Sequence, residues 1–151
     1  MLKGIDPLLS PELLKLLCEM GHGDEIVLAD ANFTSYTLAA GKPVLRLPGV
    51  NMREACTAVL SVLPLDTMVA QPVAYMQVGD TPIGYRSALQ REVLERIEDI
   101  AGTGAGHCEA MERFSFYQRV RSAFAIVQTG ERQPWANFLF KKGVIADVLQ
   151  P

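Results

Sequence analysis

The stretch "EMGHGDEIVLADANF", Glu19–Phe33, decides how the chain is read. Its centre, Ile26–Ala29, is a short continuous apolar run, as expected of a strand buried on both faces of a parallel sheet. Asp30 falls at the carboxyl end of that strand. Upstream, Gly21 and Gly23 flank His22, one of two histidines in the chain, and Glu19, Asp24, Glu25 and Asp30 supply four acidic groups.

Working outward, Ser10-Pro11-Glu12 is a helix start: a capping hydroxyl, a proline in the first turn and an acid at the positive end of the dipole. Leu13, Leu14, Leu16, Leu17 and Met20 give that helix an apolar face, with Gly21 at its C-cap. "KPVLRLPGV" mixes strand and turn. A second amphipathic helix starts at Met52 behind Asn51 and stops at Pro64. "QPVAYMQV" reads as a strand and "YRSALQREVLERIEDIA" as a third helix. "GTGAG", Gly102–Gly106, is a turn without the lysine and serine of a phosphate loop. "RFSFYQRVRSA" reads as helix, and "FAIVQTG" and "NFLFKKG" as strands. Helices alternating with apolar strands predict an α/β fold: a single layered domain over residues 1–151, with a mostly parallel central sheet flanked by helices.

The formal net charge is −3 and no lysine/arginine cluster tracks phosphates, which speaks against nucleic acid as a partner. Asp6, Pro7, Pro11 and Glu12 break the first apolar run, so no signal peptide is expected there. No window reaches the ~20 apolar residues of a membrane span. Cys18, Cys56 and Cys108 are odd in number and form no CxxC pair, fitting free thiols in a reducing cytoplasm rather than a zinc site.

Three clusters could carry chemistry. His22 can change charge near neutral pH, Asp24 is near enough in sequence to orient one of its ring nitrogens, and Asp30 sits where open α/β sheets place their sites. The same residues also fit a helix end with a dipole-complementing histidine and a solvated acidic turn. In "TGERQPWANFLFKKG", Trp135 and Asn137 pair an aromatic face with an amide, as sugar sites do; a half-buried tryptophan beside a turn asparagine is the alternative. In "ERFSFYQRV", Arg113 could fix a hydroxyl or carboxylate and Tyr117 could move a proton, unless both merely rim a helix. Asp66 in "LPLDTM" reads as a turn residue. His22 with Asp24 and Asp30 lacks the fixed spacing of a metal site.

"LKGIDPLLSPELLKLLCEMGHGDEIVLADANF", "LPLDTM" and "RFSFYQRVRSAFAIVQTGERQPWANFLFKKGV" together resemble the bacterial ribose pyranase and fucose mutarotase family, and the fucose branch more than the ribose branch. The resemblance spans nearly the whole chain. It implies a ribose-pyranase-like α/β fold and an isomerase that interconverts anomers, and in some members pyranose and furanose forms, of a free monosaccharide such as L-fucose. It also implies no metal or organic cofactor and a homo-oligomer built of subunit rings, commonly a decamer of two pentamers, with sites near subunit interfaces. By matched position it makes His22 the proton donor and Asp30 a sugar-binding carboxylate. Arg113, Trp135 and Asn137 become ligand contacts, and Asp66 and Tyr117 join His22 in catalysis. Asp24 is expected to tune His22. The family usually carries tyrosine where this chain has Trp135, which exchanges a hydroxyl for a donor-only N–H. A sugar-binding or regulatory subunit without turnover is the alternative function, and a metal-dependent hydrolase a more distant one.

Overall fold

A computed structural model describes residues 2–102 and 105–147. In chain order the elements are α1 (Pro11–Glu19), β1 (Glu25–Ala29), α2 (Ser35–Ala39), β2 (Val44–Leu47), α3 (Met52–Leu60), β3 (Val73–Met76), α4 (Ala88–Ala101), β4 (Cys108–Met111), α5 (Arg113–Val120), β5 (Ala125–Thr129) and β6 (Phe138–Lys141). The strands form one sheet in the order β2-β5-β1-β6-β3-β4. Pairs β2–β5, β5–β1 and β3–β4 are parallel, and β6 alone runs against both of its neighbours. The mostly parallel sheet is therefore as expected, with the last strand reversed.

Alternation along the strands feeds two cores. Ile26, Leu28, Val73, Tyr75, Val127, Phe138 and Phe140 face α1, α3 and α4. Val27, Ala29, Ala74, Met76, Ile126 and Leu139 face α2 and α5. Covering on both faces is why the central strands read as unbroken apolar runs.

The helix starts follow their caps. Ser10 Oγ accepts from Leu13 N, and Asn51 and Ser87 form capping boxes with Glu54 and Gln90. Three boundaries differ from the sequence reading. α1 ends at Glu19 with Met20 as its extended cap, because Lys142 Nζ reaches the Leu17 and Met20 carbonyls at 2.7 and 2.6 Å and stands in for a glycine cap. α4 begins at Ala88 rather than Tyr85 because Ser87 is the cap, and α5 stops at Val120. Two elements, α2 and β4, were not anticipated. Of the expected Gly102–Gly106 turn, Thr103 and Gly104 lie outside the described residues; Gly102 caps α4 in the left-handed region at φ 65°.

Candidate active site

β1, β2, β3, β4 and β5 all point their carboxyl ends toward one edge of the sheet, and the reversed β6 brings its amino end there. Asp30 leaves β1 and Asn137 enters β6 at this edge. Both are buried, and they clasp each other: Asp30 N donates to Asn137 Oδ1 at 2.9 Å, and Asn137 Nδ2 donates to Asp30 Oδ2 at 2.9 Å. Asp30 Oδ1 accepts from Asn32 N at 3.0 Å, turning the chain back over the strand end. Gln128 Nε2 holds the Ala31 and Phe33 carbonyls, which fixes that loop to β5. Burial pushes the Asp30 carboxyl above its ordinary 3.8, and nearby Glu131 adds to this. The Asn32 and Phe33 N–H groups and the Asn137 amide oppose it.

α5 starts at the same edge, directly after β4. Glu112 caps it, accepting from Phe114 N and Ser115 N. Arg113 and Tyr117 are one helical turn apart and so share a face. Arg113 Nε donates to Tyr117 Oη at 3.1 Å, and its guanidinium carbon lies 5.2 Å from the Tyr117 ring centre. Tyr117 packs edge-on against Phe33 at 5.5 Å. Trp135 closes the arrangement. Its backbone is left-handed, φ 67°, which is unusual for an aromatic residue. Asp30, Met76, Arg113, Tyr117, Trp135 and Asn137 together line a cavity of about 200 Å³.

His22 and Asp66 lie at the opposite end. The Gly23 N–H donates to the Lys142 carbonyl just past β6, and the Asp66 N–H donates to the Lys141 carbonyl. Gly143 permits this crossing: a Cβ there would sit 2.5 Å from the Leu65 carbonyl oxygen, so only glycine lets the Leu65–Asp66 segment lie so close. His22 Nε2 then stands 3.3 Å from Asp66 Oδ2, with the histidine half exposed and the carboxylate buried. The Met68 N–H on Oδ1, and after it His22 and Lys141, hold the Asp66 carboxyl below its ordinary value against the effect of burial.

The carboxylate at His22 is thus Asp66. Asp24 does not take the orienting position expected of it, because its Oδ2 accepts from the Gly21 N–H at 2.7 Å and closes the turn instead. Of the eight residues singled out, five (Asp30, Arg113, Tyr117, Trp135 and Asn137) meet at one edge; His22, Asp66 and Asp24 are at the other. From Asn137 to Lys142 is five strand steps, or about 17 Å, so one chain does not bring His22 to the cavity.

Residues beyond those anticipated also shape the cavity. Met76 and Phe33 are apolar wall. Gln90 is fully buried and donates to the Met76 carbonyl at 2.8 Å and the Trp135 carbonyl at 3.1 Å. Its signal in the sequence was the Ser87-x-x-Gln90 capping spacing. Among the described residues no group of three or more His, Cys, Asp or Glu could hold a metal ion. No helix there is long and apolar enough to cross a membrane.

Comparison with known proteins places the chain among sugar mutarotase relatives. The chain is 44% identical over 147 residues to the fucose mutarotase of Bos taurus, covering 96% of this chain and 95% of that one. The crystal structure of the fucose mutarotase of Streptococcus pneumoniae in complex with L-fucose is 40% identical, with a TM-score of 0.85 over 96% of this chain and all of that one. The structure of Bacillus subtilis RbsD complexed with D-ribose superposes with a TM-score of 0.72 over 97% of this chain and all of that one; at 22% identity this is a likeness of fold alone. The RbsD / FucU transport protein family matches residues 3–145, and the chain belongs to that family.

Proposed function

We propose that this protein is a monosaccharide mutarotase, an isomerase that opens and recloses the ring of a free sugar, with L-fucose as the first substrate to test. The observation that carries the reading is the buried Asp30–Asn137 clasp in a cavity walled by Trp135 and Tyr117. A buried carboxylate and amide can take several hydroxyls, while aromatic faces meet sugar C–H groups. The fucose mutarotase relatives point to the same chemistry.

Ring opening moves two protons. One goes to the ring oxygen and one leaves the anomeric hydroxyl as the C1–O5 bond breaks, giving the open-chain aldehyde. Rotation about C1–C2 and reclosure on the other face of the carbonyl give the second anomer. Each positioned acid or base is worth about 10²–10⁴ in rate. In this reading the imidazolium of His22 protonates the ring oxygen through Nδ1. Its Nε2–H stays on Asp66, which orients the ring and stabilises its charge. Tyr117, with Arg113 on its hydroxyl oxygen, takes the anomeric proton as it passes its own phenolic proton to solvent water, and the relay runs backwards on reclosure; Asp30 and Asn137 hold other hydroxyls. Both protons are moved by side chains, so the reaction needs no cofactor.

Because the two groups sit at opposite ends of one subunit, His22 and Asp66 serve the cavity of a neighbouring subunit in a ring-shaped homo-oligomer. The decamer of two pentamers implied by the family resemblance is the arrangement to test. Exposed apolar side chains flank both halves: Tyr36 and Phe114 at the cavity end, and Met68 beside Asp66. Three free cysteines and the absence of a membrane-crossing helix among the described residues fit work in the cytoplasm.

Exchange NMR between the α and β signals of L-fucose, run on the wild type and on His22→Ala, tests the catalytic reading. Acceleration by the wild type and its loss in the variant are expected. Binding without acceleration would make the protein a sugar-binding subunit, the reading that Trp135 with its donor-only N–H would then favour. Light scattering that gives a monomer would remove the shared site.

A further inference from the structure

We infer that Gly79 is a positioning residue that sets which sugars the cavity admits, acting through the indole of Trp135. This deepens the mutarotase reading and rests on it.

Three observations converge on Trp135. Its backbone is in the left-handed region, where a non-glycine residue persists only if its surroundings hold it. Gln90, itself fully buried, donates to its carbonyl and to that of Met76, tying the left-handed turn to the end of β3. The fused six-membered ring of the indole lies against Gly79: a Cβ added there would be 2.9 Å from Cη2 and 3.0 Å from Cζ2. Gly79 is not among the positive-φ glycines. Its backbone does not require glycine, so the missing side chain is what the site uses.

The indole so held is a partition. On one side is the cavity with Asp30 and Asn137. On the other is a second cavity of about 310 Å³ lined by Gln77, Gly79, Thr81, Glu112 and Arg113. Arg113 and Trp135 belong to both. The slot at Gly79 lets the indole lie back from the sugar cavity while still separating it from the second space. Its position therefore fixes the room left for the substituent on the sugar carbon that faces it. A methyl or hydrogen is accepted in preference to a bulkier hydroxymethyl.

The test compares the wild type, Gly79→Ala, Trp135→Tyr and the double variant. Anomer-exchange NMR on L-fucose, and on L-galactose, which carries a hydroxymethyl in place of the methyl, gives KM and kcat. Trp135 is the only tryptophan in the chain, so its emission reports the partition directly in the wild type and in Gly79→Ala. In Gly79→Ala the indole is pushed toward the sugar, and KM for L-fucose should rise about tenfold with kcat less changed, as expected for a sub-ångström to ångström displacement. The emission should shift as well. In the Trp135→Tyr background, which lacks the fused ring, alanine at 79 should change KM less than about twofold, the non-additivity of residues in contact. Trp135→Tyr should also narrow the preference for L-fucose over L-galactose.

An equal KM effect of Gly79→Ala in both backgrounds would overturn the inference, as would unchanged KM and emission in the single variant. Failure of both Gly79→Ala and the double variant to fold would overturn it too, since the glycine would then serve the backbone. If the wild type binds sugar without accelerating exchange, the mutarotase reading falls, and the inference is decided by the same comparison made on Kd from the NMR-detected sugar titration.

Discussion

Replacing Asn137 by alanine tests the centre of the cavity. The change removes both arms of the clasp, leaving the Asp30 N–H and Asp30 Oδ2 without their partners in a buried setting. An orphaned buried N–H costs about 1–3 kcal/mol, and a lost hydrogen bond to a charged group about 1.5–3 kcal/mol. The expected destabilisation is about 3–5 kcal/mol, which for a chain of this size lowers Tm by roughly 6–20 °C. The sign of the pH dependence follows from Asp30. Its carboxyl already titrates above 3.8 because of burial. The folded state therefore holds that proton more tightly than the unfolded one, and stability declines as pH rises through the window from 3.8 to the raised folded value. Asn137→Ala removes one of the groups that favour the charged form and so widens the window upward. Urea or thermal unfolding at about pH 5 and pH 8 measures this, and the penalty should be larger at pH 8. Asp30→Ala added to Asn137→Ala should cost less than the sum of the single changes. A loss below about 1 kcal/mol, or one that is greater at the lower pH, would refute the claim that the clasp is buried and charged.

Asp66→Asn should reduce anomer exchange toward about a hundredfold, the lower end of general acid–base effects, while sugar binding at the Asp30 end changes little; NMR exchange rates alongside a Kd by fluorescence check it. Arg119→Met should cost about 1–2 kcal/mol, because Arg119 pairs with partly buried Glu25 and with half-exposed Glu109, each at 2.8 Å, while Lys141 keeps its own contact with Glu25. Burial raises the Glu25 carboxyl, yet the hydrogen bonds from Arg119 and Lys141 outweigh it and bring it below 4.5. Glu25 therefore stabilises the wild type above that value and loses this as pH falls through the lowered one, an acid sensitivity that melting curves of Arg119→Met should show diminished. A thiol reagent should modify exposed Cys18 in the native protein. Cys56, whose thiol burial pushes far up, and Cys108, pushed up to about 11, should react only in denaturant.

What the sequence disclosed follows the range of the interactions. α1, α3 and β1 were legible because their caps and apolar periods lie within a few residues. α2 was not: it has five residues and no side-chain cap from Thr34. β4 has only one fully buried position, so no apolar run marks it. The reversed direction of β6 is a tertiary fact with no local sign. At the site, residue types at matched positions were enough to nominate Asp30, Asn137, Arg113, Tyr117 and Trp135. The partner of His22 was another matter. Asp24 is two residues away, yet the Gly21 N–H claims it, while Asp66 arrives from a loop docked on the end of β6. Proximity along the chain misdirected that assignment, and hydrogen bonds across more than forty residues corrected it.

The reversed strand β6 carries a further consequence for how this protein tolerates change. One end of it delivers Asn137 to the cavity and the other seats the loop that bears Asp66, so its four residues act as a spacer of set length between two functional ends. Deleting or inserting a single residue would turn every following side chain to the opposite face. Phe138 and Phe140 would exchange cores with Leu139, and the loop at the far end would lose its seat in the same event. Length variation in this protein should therefore be confined to surface segments such as Ala40–Pro43, while β6 admits substitution but not a change of count.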